Sequence, residues 1–407
     1  MAIGSVSFHT ASSGLRMVHM AVPRSRVGYC GVMVRVGSRD EAPHLHGLAH
    51  FVEHTIFKGT ARRRSWHIIN RMESVGGELN AFTTKEETAV FSAFPNGNLA
   101  RAAELIADLI TSSRFPAAEL DKERQVVADE IDSYLDTPSE AIFDDFEELI
   151  FDGSSMSHNI LGSRPSLEGC TSETCQAYLR QWYVPSNIVA FYAGSQGPDR
   201  VFALLERAFE HLDGPAPAAI RPTPAAVATF DCHKPIDTHQ CHTIVGARIP
   251  SMLSAERHAF ALFTNILGGP GMNSLLNVAL RENRGLVYSV DASTALYSDC
   301  GVLNIYYGCD PDDNPRCIRL VRQTIDRVAN GLISPRRLQA AKKQFLGQLV
   351  IAGENVENRI MSIARQHLFG CEILSYDNLK NAIDSIDPQQ IARIAANLDL
   401  SSLSLAP

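Results

Sequence analysis

One stretch near the N-terminus of the 407-residue chain, GLAHFVEHTIF at positions 47–57, combines apolar residues with polar ones at helical spacing. His50 and His54 are four residues apart, so on a helix their side chains project from the same face, one turn apart. Glu53 lies between them in the sequence and beside the same face. Polar groups on a buried apolar helix need a partner, and a pair of imidazoles is typical of a metal site. The pattern therefore predicts a buried, metal-binding helix near residues 46–58.

The residue types of this motif indicate which metal it binds. Nitrogen ligands on a rigid helix suit Zn²⁺, and a catalytic zinc needs a third protein ligand and an open position for water. The alternative, a histidine pair on a solvated surface, is less consistent with the apolar residues around the motif. Two further histidines, His44 and His46, precede the motif, but their spacing from His50 and His54 is not that of one helix face, and we expect them in a loop.

A second amphipathic helix, predicted over residues 116–135, supplies candidates for the third ligand. Glu123 and Glu130 are seven residues apart in the sequence, which places them two turns apart on one face of the helix. One of them could bind the metal while the other holds a ligating histidine. The alternative is a solvated acidic face, and periodicity alone does not choose between the two glutamates.

Several segments carry a family resemblance that spans nearly the whole chain. The motif is followed by FKGT at 57–60, and GGELNAFT at 76–83 and LRENRGLVYS at 280–289 come later in the chain. Together, and in this order, these segments resemble the pitrilysin family of zinc metallopeptidases, which includes insulin-degrading enzyme and mitochondrial processing peptidase. The His-x-x-Glu-His order is that of inverzincins. The resemblance implies a zinc-dependent endopeptidase that cleaves short or unfolded peptides through a metal-activated water.

The resemblance also implies roles for individual residues. The implied Zn²⁺ ligands are His50, His54 and Glu130. The residues implied in catalysis are Glu53, as general base, together with Glu123, Arg281 and Tyr288. The residues implied in substrate binding, along a strand edge to which an extended peptide adds as a further strand, are Asn80, Ala81, Phe82 and Thr83.

The order of predicted elements indicates two similar halves. We expect an α+β fold of two structurally similar domains, each a mainly antiparallel sheet flanked by helices, which by resemblance form half of a clamshell. Residues 1–212 form the predicted zinc-binding catalytic domain and residues 227–407 a domain for substrate contact and dimerisation. Between them, the proline-rich residues 213–226 are typical of an extended linker.

The bulk composition excludes several classes of partner. A net charge of -8 does not favour nucleic acid binding, and no apolar stretch reaches the ~18 residues that a membrane span needs. The N-terminus lacks the pattern of a signal peptide. Nine cysteines, an odd number at irregular spacing, argue against a disulfide framework. We therefore expect a cytoplasmic protein, and the resemblance implies a peptide or an unfolded polypeptide as its partner.

The resemblance leads to an expectation about assembly. Larger relatives join four such domains in one chain, whereas this chain has two and carries both the zinc motif and the Arg281/Tyr288 segment. We expect a homodimer in which each zinc faces the partner's second half, with a heterodimer as the alternative. The alternative functions are a non-catalytic scaffold and a peptide-binding subunit of the same fold. The intact His50, Glu53, His54 and Glu130 argue against the scaffold, and zinc content together with turnover would separate both alternatives from a peptidase.

Overall fold

The computed structural model describes residues 5–218 and 220–407, which form two compact units. Each unit contains one sheet flanked by helices, which confirms the predicted α+β class. The first unit comprises the residues up to Asp132, His158–Pro222 and Gly353–Ile373; the second comprises Ser133–Ser157, Thr223–Ala352 and Leu374–Pro407.

The sheet of the first unit is built from six strands. They are β1 (Val6–Thr10), β2 (Arg16–Ala21), β3 (Val27–Val34), β4 (Glu78–Thr83), β5 (Thr88–Pro95) and β6 (Ile188–Gly194). Their order is β1-β2-β6-β3-β5-β4; β2 and β6 are parallel and the other neighbours are antiparallel. The central strand β6 is buried along its whole length, as expected for a continuous apolar run. At the opposite end of the order from β1, β4 forms an edge of the sheet.

The second unit repeats this arrangement. Its strands are β7 (Asp231–Pro235), β8 (Cys241–Ile249), β9 (Val287–Leu296), β10 (Gly301–Cys309) and β11 (Ser401–Ala406), in the order β7-β11-β8-β10-β9. One parallel pair, β7 with β11, is followed by three antiparallel pairs. The same run of pairings follows β2 in the first sheet, so the predicted duplication is present in the sheet topology.

Fourteen α-helices flank the sheets in the described part of the chain. They are α1 (Leu48–Thr55), α2 (Ser65–Glu73), α3 (Leu99–Ser112), α4 (Ala117–Leu135), α5 (Pro138–Ile150), α6 (Arg164–Leu167), α7 (Ser172–Trp182), α8 (Pro198–Ala208), α9 (Arg257–Gly268), α10 (Asn314–Ala329), α11 (Pro335–Ala352), α12 (Val356–Phe369), α13 (Tyr376–Asp384) and α14 (Pro388–Ala396). Among the described residues, no helix combines the length and apolar character that a membrane span requires.

Two helices each pack against the sheet formed by the other half of the sequence. Helix α5 lies in the first half, but its buried Ile142 and Phe146 pack with Val302 and Leu403 in the core of the second unit. Conversely, α12 lies in the second half and packs against β6 and β3 of the first sheet. The predicted continuous domains 1–212 and 227–407 therefore do not coincide with the compact units. Periodicity shows that each helix has an apolar face, but not which sheet covers it.

The motif helix is shorter than the predicted 46–58. Helix α1 ends at Thr55 and continues as a 3₁₀ turn over Ile56–Lys58. It begins after Gly47, whose φ of 94° lies in the left-handed region that favours glycine. A side chain at this position would also collide with the carbonyl oxygen of Leu161, 2.6 Å from the added Cβ. The tight turn at Gly47 therefore decides where the helix starts.

Arg221 anchors the predicted linker to the first unit. The described residues of 213–226 form neither helix nor strand, and the division between the units falls after Pro222. Arg221 donates to both carboxylate oxygens of Asp40, at 2.8 and 2.7 Å, and lies 3.3 Å from Glu86. The side chains of Asp40 and Glu86 are almost fully buried, so this arginine compensates charges that water does not reach.

We expect Arg221→Ala to lower the free energy of unfolding on the order of 3 kcal/mol, because it leaves the buried carboxylate of Asp40 without its cation. Thermal unfolding followed by circular dichroism would measure the change. As a control, Lys380→Ala removes a solvent-exposed partner of Asp384 and should leave the transition unchanged. Equal, small effects of both substitutions would contradict the anchoring role of Arg221.

Candidate metal centre

Helix α1 has one side that faces the core and another side that carries polar residues. Ala49, Phe51 and Val52 are fully buried in the core of the first unit. On the other side, His50 is buried and His54 is half-buried, and their rings meet edge to face with centroids 4.5 Å apart. The four-residue spacing thus brings both imidazoles to one place on a helix that the core holds in position.

Helix α4 brings two glutamates to the same place. Its buried residues Leu120, Val127 and Ile131 fix the helix against the core. Glu123 is buried, whereas the side chain of Glu130 is 43% exposed. The helix predicted over residues 116–135 is therefore present. It has a buried apolar face, and it carries both candidate carboxylates.

The three predicted ligands converge. Ligand atoms of His50, His54 and Glu130 all lie within 4.8 Å of one another. Glu130 Oε1 is 3.7 Å from His50 Nε2, and Glu130 Oε2 is 3.4 Å from His54 Nε2. Two atoms that share one tetrahedral zinc lie about 3.4 Å apart, close to these separations, which are long for direct hydrogen bonds. The choice that periodicity left open is therefore decided by geometry, since Glu130 and not Glu123 completes the group.

The donor set fits Zn²⁺. Two imidazole nitrogens and a carboxylate oxygen are common zinc ligands, and the exposure of Glu130 leaves one side open to solvent, as a catalytic zinc requires. Burial, assisted by the neighbouring His54, lowers the pKa of His50 to about 3, so that its ring is neutral and offers a lone pair. His50 Nδ1 is buried and has no hydrogen-bond partner among the described residues.

Glu53 lies between the ligand pair and the first sheet. Burial raises the pKa of Glu53, and the nearby hydroxyl of Thr83 and the imidazole of His54 partly oppose the rise. Thr83 is the last residue of β4, against which α1 packs. The predicted general base thus lies beside the strand predicted to bind substrate.

Glu123 contacts a ligand instead of joining the ligand group. Its Oε2 lies 3.4 Å from His54 Nδ1, and its Oε1 lies 2.5 Å from Lys58 Nζ. A carboxylate on the second nitrogen of a ligating histidine fixes the orientation of the ring and raises its basicity. Lys58 had no predicted role, although it lies in the FKGT segment that carries part of the family resemblance.

The predicted substrate strand lies at an edge of the first sheet. Asn80, Ala81, Phe82 and Thr83 belong to β4, which pairs with β5 on one side and ends the strand order on the other. Asn80 is exposed, and Phe82 meets Phe91 of β5 edge to face. An edge strand with free backbone groups is a surface to which an extended peptide can add.

Arg281 and Tyr288 belong to the second unit, whereas the other predicted site residues all belong to the first. Arg281 is exposed on the π-helical turn Asn277–Glu282, and Tyr288 is 59% exposed on the edge strand β9. The Tyr288 hydroxyl donates to Asp310 at 2.9 Å, which raises the pKa of the phenol. Sequence reasoning did not find Asp310, because no spacing relates it to Tyr288.

Comparison with known families agrees with this geometry. Residues 16–164 match the family described as Insulinase (Peptidase family M16), and residues 169–345 match the one described as Peptidase M16 inactive domain. The chain belongs to peptidase family M16. The zinc motif and Glu130 both fall in the first match, and Arg281 and Tyr288 fall in the second.

Relatives of this M16 chain carry names that refer to zinc proteases. It is 31% identical to an uncharacterized zinc protease of Streptomyces coelicolor, over 97% of this chain and 88% of the relative. It is 27% identical to the uncharacterized zinc protease YmxG of Bacillus subtilis, over 98% and 97%. A protease from Helicobacter pylori has the same fold, with a TM-score of 0.91 and 20% identity over 100% of both chains. A structure titled peptidase M16 inactive domain, from Pseudomonas fluorescens, matches with a TM-score of 0.92 and 16% identity over 99% and 98%.

We expect Glu123→Gln to weaken Zn²⁺ binding by roughly 10- to 100-fold, because the His54 ring loses its carboxylate partner. Competition with a chromophoric chelator would measure the affinity. The matched control is Glu119→Gln, which alters a partly exposed carboxylate of the same helix that pairs with Lys122. An affinity of the Glu123 variant equal to that of the control would show that this contact does not support the metal.

Proposed function

We propose that this M16 chain is a zinc-dependent endopeptidase that cleaves short or unfolded peptides. The observation that carries the proposal is the convergence of His50, His54 and Glu130 within 4.8 Å, with Glu53 on the same helix as both histidines. This arrangement combines a metal site open to solvent on one side with a carboxylate of raised pKa. It contains the groups that metal-assisted hydrolysis of an amide requires.

Each side chain has a defined task in this reaction. A zinc ion bound by the three ligands supplies a Lewis acid that polarises the scissile carbonyl and lowers the pKa of water. Glu53 accepts the proton of the attacking water and delivers it to the leaving amine, and its raised pKa makes it a better base than an ordinary glutamate. Glu123, between His54 and Lys58, holds the imidazole ring in its ligating orientation.

The edge strand β4 supports the proposed substrate class. The free edge of β4 offers backbone hydrogen bonds to an extended segment, and Thr83 at its end lies beside Glu53. A folded protein rarely presents an extended segment with unpaired backbone groups. Short peptides and unfolded chains therefore suit this edge, with Asn80 as an additional polar contact.

The alternative function is a scaffold or a peptide-binding subunit without hydrolysis. The observation in its favour is the description of the family that residues 169–345 match as an inactive domain. That match does not include the ligands, which lie in the first unit and form a complete set. Zinc content and peptide turnover, measured on the same preparation, separate the two functions.

Glu53→Gln should retain Zn²⁺ and lose peptide cleavage by about 10²- to 10⁴-fold, because an amide accepts no proton from water. Cleavage of a quenched fluorescent peptide, with zinc determined on the same sample, measures both quantities. Glu73→Gln, which changes an exposed carboxylate at the end of α2, is the control. A Glu53 variant as active as this control would contradict the assignment of Glu53 as the general base.

Asn80→Ala should raise KM several-fold and leave zinc content unchanged, because it removes a substrate contact and no ligand. Steady-state kinetics on a peptide series would give KM and kcat separately. Thr10→Ala provides the control, since Thr10 is exposed on β1, the opposite edge strand of the same sheet. Identical KM values for the two variants would exclude a role for Asn80 in binding.

We further propose a homodimer in which Arg281 and Tyr288 of one subunit act on substrate at the zinc of the other. The proposal is supported by the presence of the zinc motif and the Arg281/Tyr288 segment in one chain of two units. The Tyr288 hydroxyl donates its single proton to Asp310, so it must leave this partner before it donates to a developing oxyanion. A heterodimer with a different M16 chain is the alternative.

Mixing two inactive variants tests this assembly. Glu53→Gln and Tyr288→Phe, each defective alone, should recover about one quarter of wild-type turnover after subunit exchange, since half of the dimers then contain one complete site of two. Light scattering would establish the mass of the assembly. An active monomer, or no recovery in a mixture shown to contain mixed dimers, would contradict sharing of the site between subunits.

A further inference from the structure

The start of α1 lacks a capping side chain of its own. Gly47 occupies the N-cap position and offers no side-chain acceptor to the first N–H groups of the helix. Such groups need an acceptor when they are buried. Because α1 carries both predicted histidine ligands within its eight residues, whatever fixes its first turn also sets the direction of His50 and His54.

Glu41, outside the helix, supplies the missing acceptors. Its Oε2 accepts from Gly47 N at 2.8 Å and its Oε1 accepts from Ala49 N at 2.6 Å. Its side chain is fully buried. Burial raises the pKa of Glu41 to about 8, whereas the two N–H groups favour the ionised form. Both distances are those of hydrogen bonds, and Ala49 directly precedes His50.

The position of Glu41 is itself fixed by its neighbours. Arg39 pairs with Glu86 at 2.7 Å, and both side chains are buried. Asp40 is held by Arg221. Because both preceding residues are held by ion pairs, the backbone at Glu41 has little conformational freedom. Its carboxyl group therefore has a fixed position relative to the start of the helix.

A loop over residues 158–170, which contains the short helix α6, supports the same contact. His158 Nε2 lies 2.9 Å from the carbonyl oxygen of Ser38 and 3.2 Å from Glu41 Oε2. Its ring stacks on His46 with centroids 3.7 Å apart and an angle of 2° between the planes. The carbonyl oxygen of His46 accepts from Ser166 Oγ at 2.6 Å. The residues before α1 are thereby held from two sides.

The same loop is bonded to the helix that carries the third ligand. Arg124 of α4 donates to the carbonyl oxygens of Leu167 and Cys170, at 3.2 and 3.3 Å. In the other direction, Arg164 donates to the carbonyl oxygen of Ala128 at 3.3 Å. The loop therefore connects the start of α1 with α4, the two helices whose relative placement brings His50, His54 and Glu130 together.

We propose that Glu41 is a positioning residue of the zinc site. By accepting from Gly47 and Ala49 it sets the rotation of α1 about its axis, where a slip of one residue would turn both histidines by about 100°. Its two oxygens are engaged by these N–H groups, so it acts through the helix and not as a ligand. The inference rests on the proposed function, because it assigns Glu41 to the same zinc site.

Two variants of the full-length chain separate this role from simple stabilisation. Glu41→Gln retains one acceptor oxygen and replaces the other by a donor. Glu41→Asp keeps the carboxyl group but is one methylene too short to span both N–H groups. The control is Glu87→Gln, which alters another buried carboxylate of the first unit that pairs with Arg365 instead of α1. Each protein is measured for Zn²⁺ affinity, for the visible spectrum of its Co²⁺ form, for thermal unfolding without metal, and for kcat and KM.

We expect Glu41→Gln to bind Zn²⁺ at least about tenfold more weakly, with shifted Co²⁺ bands and a lower kcat at an almost unchanged KM. Glu41→Asp should show a smaller change in the same direction, and it carries the test if the glutamine variant does not fold. The control should unfold at a lower temperature with wild-type affinity and spectrum. Wild-type metal affinity and Co²⁺ spectrum in a folded Glu41 variant, whatever its unfolding temperature, would overturn the proposal.

The metal readouts do not depend on peptide cleavage. If the wild-type chain binds zinc without cleaving any peptide, the proposed function fails while the affinity and the spectrum still decide the role of Glu41. If the chain cleaves peptides and the Glu41 variants keep wild-type affinity and spectrum, the positioning role fails alone.

Discussion

The arrangement of the site depends on one constraint: two imidazoles lie on a helix whose other face is part of the hydrophobic core. Ala49, Phe51 and Val52 are fully buried, so α1 cannot rotate to expose His50 or His54 without uncovering core residues. The polar face must instead find partners where it is, since a buried polar group without one is costly. Glu123 and Glu130 of α4 lie beside that face, and Glu130 completes a group of three candidate zinc ligands.

Four carboxylates lie on or beside this helix, and their environments differ. Glu130 is half exposed and joins the two histidines, whereas Glu123 is buried between a histidine and a lysine. Glu53 is desolvated, which raises its pKa and suits a base. Glu41 is fully buried and turned towards backbone N–H groups at the helix start. The residue type is the same at all four positions, so contacts and burial distinguish the proposed ligand, support, base and cap.

The duplicated topology explains why the two sheets end in comparable edges. In each sheet a parallel pair is followed by three antiparallel pairs, which leaves β4 at the end of one and β9 at the end of the other. The substrate residues implied by resemblance lie on β4, and Tyr288 lies on β9. Helices α5 and α12 each complete the unit that their half of the sequence does not form, because their apolar faces are covered there.

Local spacing in the sequence was sufficient for the parts of the site that lie on one element. The i, i+4 histidines, the helix over 116–135 and the strand of residues 80–83 all follow from patterns a few residues long, because helix and strand periodicities are short-range. Spacing and resemblance together also pointed to Glu130. Tertiary structure decided what depends on distant chain segments. Only the packing of α1 against α4 places Glu130 with the histidines and Glu123 behind His54. Likewise, the acceptor role of Glu41, the partner of Tyr288 and the exchange of α5 and α12 arise from contacts that no local period encodes.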